Sequence, residues 1–421
     1  MGTSEEHKGC LQSRYVLIFW IFTTVTVLYT HRVGLNVAMV AMVNSTSTGS
    51  LNLSTFECPA PESMFNQSGH PSRVTQGEYD WSPSVQGIIM GAFYHGYICS
   101  LLLGSPVVAK LGARRVFVST VLVSSVLTLG VPWFAPLGVA LLSAARVGAG
   151  VAQGLTYTAM YTLVGRWAPP RQRASLLAIV MTGNQVGTIL GMTATGYLCD
   201  GDFAGGWPSS FIVLGGLGVL CFLADCFTIY DSPATHPRIS DTEQRFLSAQ
   251  LPHMSKEKQR VATPWRSILR SGPVWAVAAA KMSWTWGYYT ILTKLPMYLH
   301  VVLHFPIQEN GFINALVYTT ESITGILAGY MADLLMKRKI GSPTVIRRCF
   351  ETIGLIGPAI CLAVIPALGC DSLPVVIVLA LSMGTLGMIH GGDMPNVVEL
   401  APDHAGKFQN DRLTNQRSDS Q

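Results

Sequence analysis

A guanidinium set in an apolar stretch is the first feature of this chain that points to chemistry. In RVGAGVAQGLTYTAMYTLVGRWAPPRQR (Arg146–Arg173), Arg146 carries the one formal charge between Leu137 and Val164. That segment is long enough to cross a bilayer. An arginine inside such a span is costly even on lenient insertion scales, so it needs a compensating partner. Either its long stem carries the head out to the surface, or the cation faces a polar cavity and receives an anion. More ionisable residues stand in apolar surroundings: Arg32 beside His31, Lys281, Lys294 and Glu321. A carboxylate or ammonium in hydrocarbon marks an ion or proton site by default. The other reading of Lys281 and Glu321 is a structural pair between adjacent helices. Histidine is the residue type that changes charge near neutral pH, so His31 joins Glu321 and Lys281 as a coupling candidate.

The elements that must position these groups are membrane helices. Of 421 residues, 49% are hydrophobic and 12% charged, which excludes a soluble protein. Ten hydrophobic spans follow one another: Tyr15–Val43, Ser82–Ala109, Val116–Phe134, Leu137–Val164, Ala174–Leu198, Ser209–Tyr230, Pro273–Leu303, Gln308–Met336, Thr344–Leu368 and Leu373–Val398. Gly148, Gly150 and Gly154 leave a bare face for close helix packing. The nine cysteines show no paired metal-ligand spacing. The segments divide into a cytoplasmic head (1–14), a first bundle (15–230), a central cytoplasmic loop (231–272), a second bundle (273–402) and a polar tail (403–421) that reads as disordered.

Charge placement fixes the orientation. The long loop 44–80 carries three glycosylation sequons, at Asn44, Asn52 and Asn66, which put it in the lumen or outside the cell. With the amino terminus in the cytoplasm, 23 of the 28 Lys and Arg residues lie on that side, and only Arg73 lies outside. This is the positive-inside pattern. The net charge of +5 therefore reports topology, and the lipid bilayer rather than nucleic acid is the partner. A weak repeat relates GSPVVAKLGARR (Gly104–Arg115) to GYMADLLMKRK (Gly329–Lys339), six spans apart. Two six-helix bundles joined by a central loop form the architecture of the major facilitator superfamily.

RWAPPRQR (Arg166–Arg173) resembles the turn after the fourth helix in the anion transporters that include sialin, the vesicular glutamate transporters and the type I sodium–phosphate cotransporters. HRVGLNVAMVAMVN (His31–Asn44), YDWSPSVQGII (Tyr79–Ile89), ATPWRSILRSGPVWA (Ala262–Ala276), QENGFINAL (Gln308–Leu316) and NVVELAP (Asn396–Pro402) extend the resemblance from the first span to the tenth. It implies an all-α membrane protein of the major facilitator fold, with about ten of an expected twelve helices present. It also implies secondary active transport of an anion: sialic acid or another acidic sugar, a carboxylate, urate or phosphate. The expected driver is H+ or Na+, with no cofactor or metal and no catalysis. A monomer in the plasma, lysosomal or vesicular membrane is expected. The alternative is a truncated isoform or fragment of such a carrier that does not transport.

Arg32 and Arg146 carry over from the family by position. A guanidinium suits the role, since its planar fork matches a carboxylate or phosphate. Tyr157, Tyr161, Trp284, Trp286 and Tyr289 are candidates for hydrogen bonds and a flat wall, or else for ordinary helix packing. The sequence also departs from the pattern. Proton-coupled members carry acids at the positions of Ala149 and Gln153 and a histidine at that of Tyr161. None of these three residue types titrates near neutral pH. Coupling by protons then has to rest on another group, and Glu321 is the best placed. Near Trp284 the arginine of the glutamate transporters is replaced, which argues against glutamate as substrate.

Overall fold

The computed structural model describes residues 12–44, 77–169, 172–201, 205–237, 239–250, 270, 272–338 and 340–391. Apolar length makes its helices, and glycine or proline punctuates them. In chain order they are α1 (Ser13–Met42), α2 (Pro83–Leu111), α3 (Ala113–Leu129), α4 (Val131–Leu137), α5 (Val139–Trp167), α6 (Arg173–Asp200) and α7 (Trp207–Thr228). A short α8 (Asp241–Gln250) precedes α9 (Gly272–Val301), α10 (Ile307–Lys337), α11 (Pro343–Leu368) and α12 (Ser372–Gly387), which continues into a 3₁₀ turn at Met388–Gly391. Gly112, between α2 and α3, has φ +90°, a conformation that penalises any side chain.

Among the described residues, six helices are long and apolar enough to cross a membrane, and eight are if each of two bent pairs counts once. One pair is α2, bent by 61°, and the other is α3 with α4, bent by 54°. The two remaining predicted spans are α9 and α10, of 30 and 31 residues. Lys281, Lys294, Glu309 and Glu321 dilute their apolar character. The last residues of the tenth predicted span, and the tail, lie outside the described residues.

The chain divides into two compact units. In unit 1, α2 packs along α5, α1 along α6, and α3 against both α5 and α7. Glycines set the α2–α5 approach: a Cβ at Gly150 would strike Phe93 O, and one at Gly154 would strike Ser100 Oγ. Gly148 faces elsewhere, towards Leu127 Cδ1 of α3 at 3.1 Å. The bare face expected for these three glycines is therefore split between two neighbours. Gly183, Gly187 and Gly191 on α6, spaced four apart, let α1 approach at Phe22, Thr26 and Thr30.

Unit 1 also takes in Thr293–Ala315, the end of α9 and the start of α10, so the division does not follow the expected boundary at residue 273. Close backbone contact explains this. A Cβ on Gly196 of α6 would lie 3.0 Å from Gly311 Cα and from Ile307 O. Asn310 Nδ2 donates to Pro296 O at 2.6 Å, tying α10 to α9.

The turns around Gly112, Trp167 and Asp231 are clamped by polar contacts. Asp231 Oδ1 accepts from Arg114 N at 3.0 Å and pairs with Arg166 Nη1 at 3.3 Å. The buried Trp167 donates Nε1–H to Tyr230 O at 2.9 Å. The central loop is not bare linker. Its helix α8 docks on the start of α1, where Glu243 accepts from the backbone N–H groups of Ser13 (2.8 Å) and Arg14 (3.1 Å). A carboxylate there satisfies donors that a helix N-terminus leaves unpaired.

In unit 2, α11 packs on α12 and on the 3₁₀ turn that follows it. Gly384 and Gly387 of α12 and Gly391 of the turn lie against Thr324 and Ala328 of α10.

Candidate functional site

Arg32 and Arg146 come together in unit 1. Both are buried, with 4% and 5% of their surface exposed. α1 and α5 bring them to the aromatic face of α2, where Phe93, Tyr94 and Tyr97 follow at helical spacing. The Arg32 guanidinium carbon lies 4.9 Å from the Phe93 ring centroid, 5.0 Å from Tyr94, 4.9 Å from Tyr97 and 5.4 Å from Tyr29 of its own helix. That of Arg146 lies 5.2 Å from Phe93. Aromatic faces stabilise a cation without neutralising it. Arg146 Nε is buried with no hydrogen-bond partner among the described residues. Two buried cations thus sit among aromatic rings, a setting in which an anion is bound more strongly than at an exposed surface. One turn beyond Arg32, Asn36 lines a small, partly open pocket with Met39, Gln86, Met90, Met297 and His300.

The sequence did not single out Tyr29, Phe93, Tyr94 or Tyr97. The run AFYHGY (Ala92–Tyr97) carries a readable signal, since Phe93 and Tyr97 share a helix face.

The other predicted residues of unit 1 spread out. Tyr157 is buried, donates its hydroxyl to Asn184 Oδ1 at 2.6 Å and meets Tyr97 edge-on at 6.2 Å. Tyr161 is half-exposed, and its hydroxyl lies 3.7 Å from Met181 Sδ. It stands 15 residues past Arg146 along α5, about 22 Å at helical rise, so the structure does not gather it with the arginines. Gln153 donates Nε2–H groups to Leu28 O and Ser124 Oγ, both at 3.1 Å. It links α5 to α1 and α3. His31 points away from its neighbour Arg32: its Nε2 lies 2.9 Å from Leu214 O of α7. Gly218 leaves the space for that ring.

Unit 2 holds a second polar cluster. Glu321 of α10 is wholly buried, and its Oε1 lies 3.3 Å from Nε2 of His390. Trp284 of α9 meets His390 edge-on at 6.2 Å and stacks on Tyr288 at 5.4 Å. Lys281 places its ammonium 5.0 Å from the Trp284 ring centroid. Tyr289 packs edge-on against Tyr288, whereas Trp286, two residues from Trp284, turns to the opposite side and is 75% exposed. His390 was not visible as a site residue in the sequence. Of the three sequon asparagines, Asn44 is described: its N–H donates to Tyr79 O at 2.9 Å, which closes the base of the long loop. Asn52 and Asn66 lie outside the described residues.

Comparison with known proteins places this architecture. The family profile described as Major Facilitator Superfamily matches residues 21–413. The chain belongs to the major facilitator superfamily. Human sialin is 35% identical over 407 residues, covering 96% of this chain and 80% of sialin. Mouse sodium-dependent phosphate transport protein 3 is 31% identical, covering 96% and 84%. A probable small intestine urate exporter of Homo sapiens is 32% identical, covering 90% and 76%. Within the superfamily the chain therefore falls in the group of anion transporters that contains sialin. It is an integral membrane transporter and not an enzyme. Among solved structures, a bacterial homologue of the human lysosomal transporter Spinster, inward-facing and unoccupied, superposes with a TM-score of 0.65 at 15% identity, covering 92% of this chain and 76% of that one. A D-xylose–proton symporter gives 0.57 at 15% identity, covering 91% and 83%. Both show the superfamily fold.

Proposed function

We propose that this chain is a secondary active carrier of a small organic anion bearing a carboxylate, coupled to protons or sodium. The observation that carries this is the pair of buried arginines around Phe93, held by aromatic faces in unit 1. A fork donor beside such faces suits a ligand with an oxyanion at one end and a flat or sugar-like body at the other. Phosphate and urate, the substrates that two relatives' names carry, remain the competing ligands. Glycans on the luminal loop, a monomeric state and residence in the plasma or a lysosomal membrane belong to the same reading.

Radiotracer uptake into proteoliposomes tests it. Sialic acid, phosphate and urate are offered separately at two pH values, with and without sodium. Saturable uptake of sialic acid, competed by other carboxylates, is expected. Uptake of phosphate or urate alone would overturn the carboxylate assignment, and no flux of any of the three would overturn the carrier assignment.

A further inference from the structure

Glu321 of α10 and His390 of the 3₁₀ turn meet because glycine clears the way. A Cβ at Gly325, one turn beyond Glu321, would lie 2.7 Å from His390 Cδ2. At Gly387 a Cβ would lie 2.5 Å from Glu321 O, so α12 also rests directly on the helix that carries the acid. The result is a carboxylate–imidazole contact of 3.3 Å in which Glu321 is wholly buried and the His390 side chain keeps 33% of its surface exposed. The acid is reached from the accessible side through the ring.

The charged and titratable groups around the pair come from each neighbouring element. On α9, Lys281 stands over Trp284, whose ring meets His390. The phenols of Tyr288 and of Tyr318 of α10 pack together at 5.7 Å. On α11, Arg347 and Glu351 share the face of Phe350 and Gly354, which meet Gly391 and Ile389 of the turn.

We propose that Glu321 and His390 form the proton-binding site of this carrier. The inference rests on the transport reading above. The step balances simply. One proton from water binds His390, the imidazolium and the Glu321 carboxylate form an ion pair, and release of that proton to the other side restores neutral imidazole. The loaded pair carries one more positive charge than the empty pair. That single positive charge is what one monovalent anion needs to cross without net charge movement. With one proton per anion, each pH unit across the membrane supports about tenfold accumulation, since 1.4 kcal/mol is tenfold.

The test uses the full chain, with Glu321→Gln, His390→Gln and the double variant. In proteoliposomes with trapped pH dye, wild type is expected to take up one proton per anion and to accumulate anion with the pH gradient. Each single variant should lose the gradient-driven part, about tenfold per pH unit, and the double should be no worse than either, since the two act as one unit. If a single variant is poorly made because it leaves one polar partner buried, the double removes both and should recover abundance without recovering the pH drive. Infrared difference spectra of the purified protein between low and high pH supply a readout independent of flux: wild type should show an imidazolium component missing from His390→Gln and a shifted carboxylate-stretch component missing from Glu321→Gln. Persistence of those bands, or wild-type pH-driven accumulation in any variant at wild-type abundance, overturns the proposal while leaving anion transport standing. Accumulation driven by sodium at equal pH overturns it as well. Bands that behave as expected in a protein without flux overturn the transport reading instead.

Discussion

Arg32 and Arg146 share one ring: their guanidinium carbons lie 4.9 and 5.2 Å from the centroid of Phe93. Two like charges that share one ring repel each other, and a bound anion would relieve that repulsion. Arg146→Ala should therefore weaken anion binding by about 2–5 kcal/mol, the usual cost of truncating a buried charged contact. Arg146→Lys should recover little, because the fork is lost. Equilibrium binding and uptake at matched membrane abundance check this. Wild-type uptake by Arg146→Ala would remove the residue from the site.

Phe93→Leu should act on both arginines at once. The loss of two cation–π contacts and of part of a buried ring should lower folded stability by about 1–3 kcal/mol. Thermal unfolding of the purified protein in detergent measures it. An unchanged midpoint would mean that the ring does not hold the guanidinium groups.

The α2–α5 contact offers a contrast between neighbouring glycines. Gly150→Leu forces side-chain atoms into the backbone of α2 at Phe93, so folded protein should fall sharply, with a cost of at least about 1–3 kcal/mol. Gly148→Ala meets only the movable tip of Leu127 at 3.1 Å and should be nearly neutral. Size-exclusion profiles of the two variants would separate these outcomes, and equal profiles would contradict the packing described.

His31 is a core residue by its contacts. Its ring is bonded to Leu214 O at 2.9 Å and fitted against Gly218. His31→Gln should keep the pH dependence of uptake, while His31→Ala should cost about 1–3 kcal/mol of stability through the lost interhelical hydrogen bond and the space the ring leaves. A flattened pH profile in His31→Gln would transfer the coupling role to this residue.

Glycosidase treatment should lower the apparent mass of the protein made in a secretory cell, and replacing Asn44, Asn52 and Asn66 together should abolish that shift. Persistence of the shift in the triple variant would place the glycans elsewhere.

The sequence by itself determined that the chain is a helical membrane protein and which family it joins, and it set the expectations for its spans and orientation. Bilayer thickness and the positive-inside bias act on each segment separately, so apolar length and basic turns can be read along the chain. The position of Arg146 in an uncharged span follows from the same reading. What surrounds that arginine does not: the cage of Phe93, Tyr94 and Tyr97 depends on Gly150 and Gly154 drawing α2 against α5. His31 and Arg32 are adjacent in sequence, yet helix geometry sends one ring to α7 and the other head to α2. His390 reaches Glu321 across 69 positions because Gly325 and Gly387 let α12 rest on α10. The partner of a buried charge is chosen by which helices can approach closely, and only tertiary packing decides that.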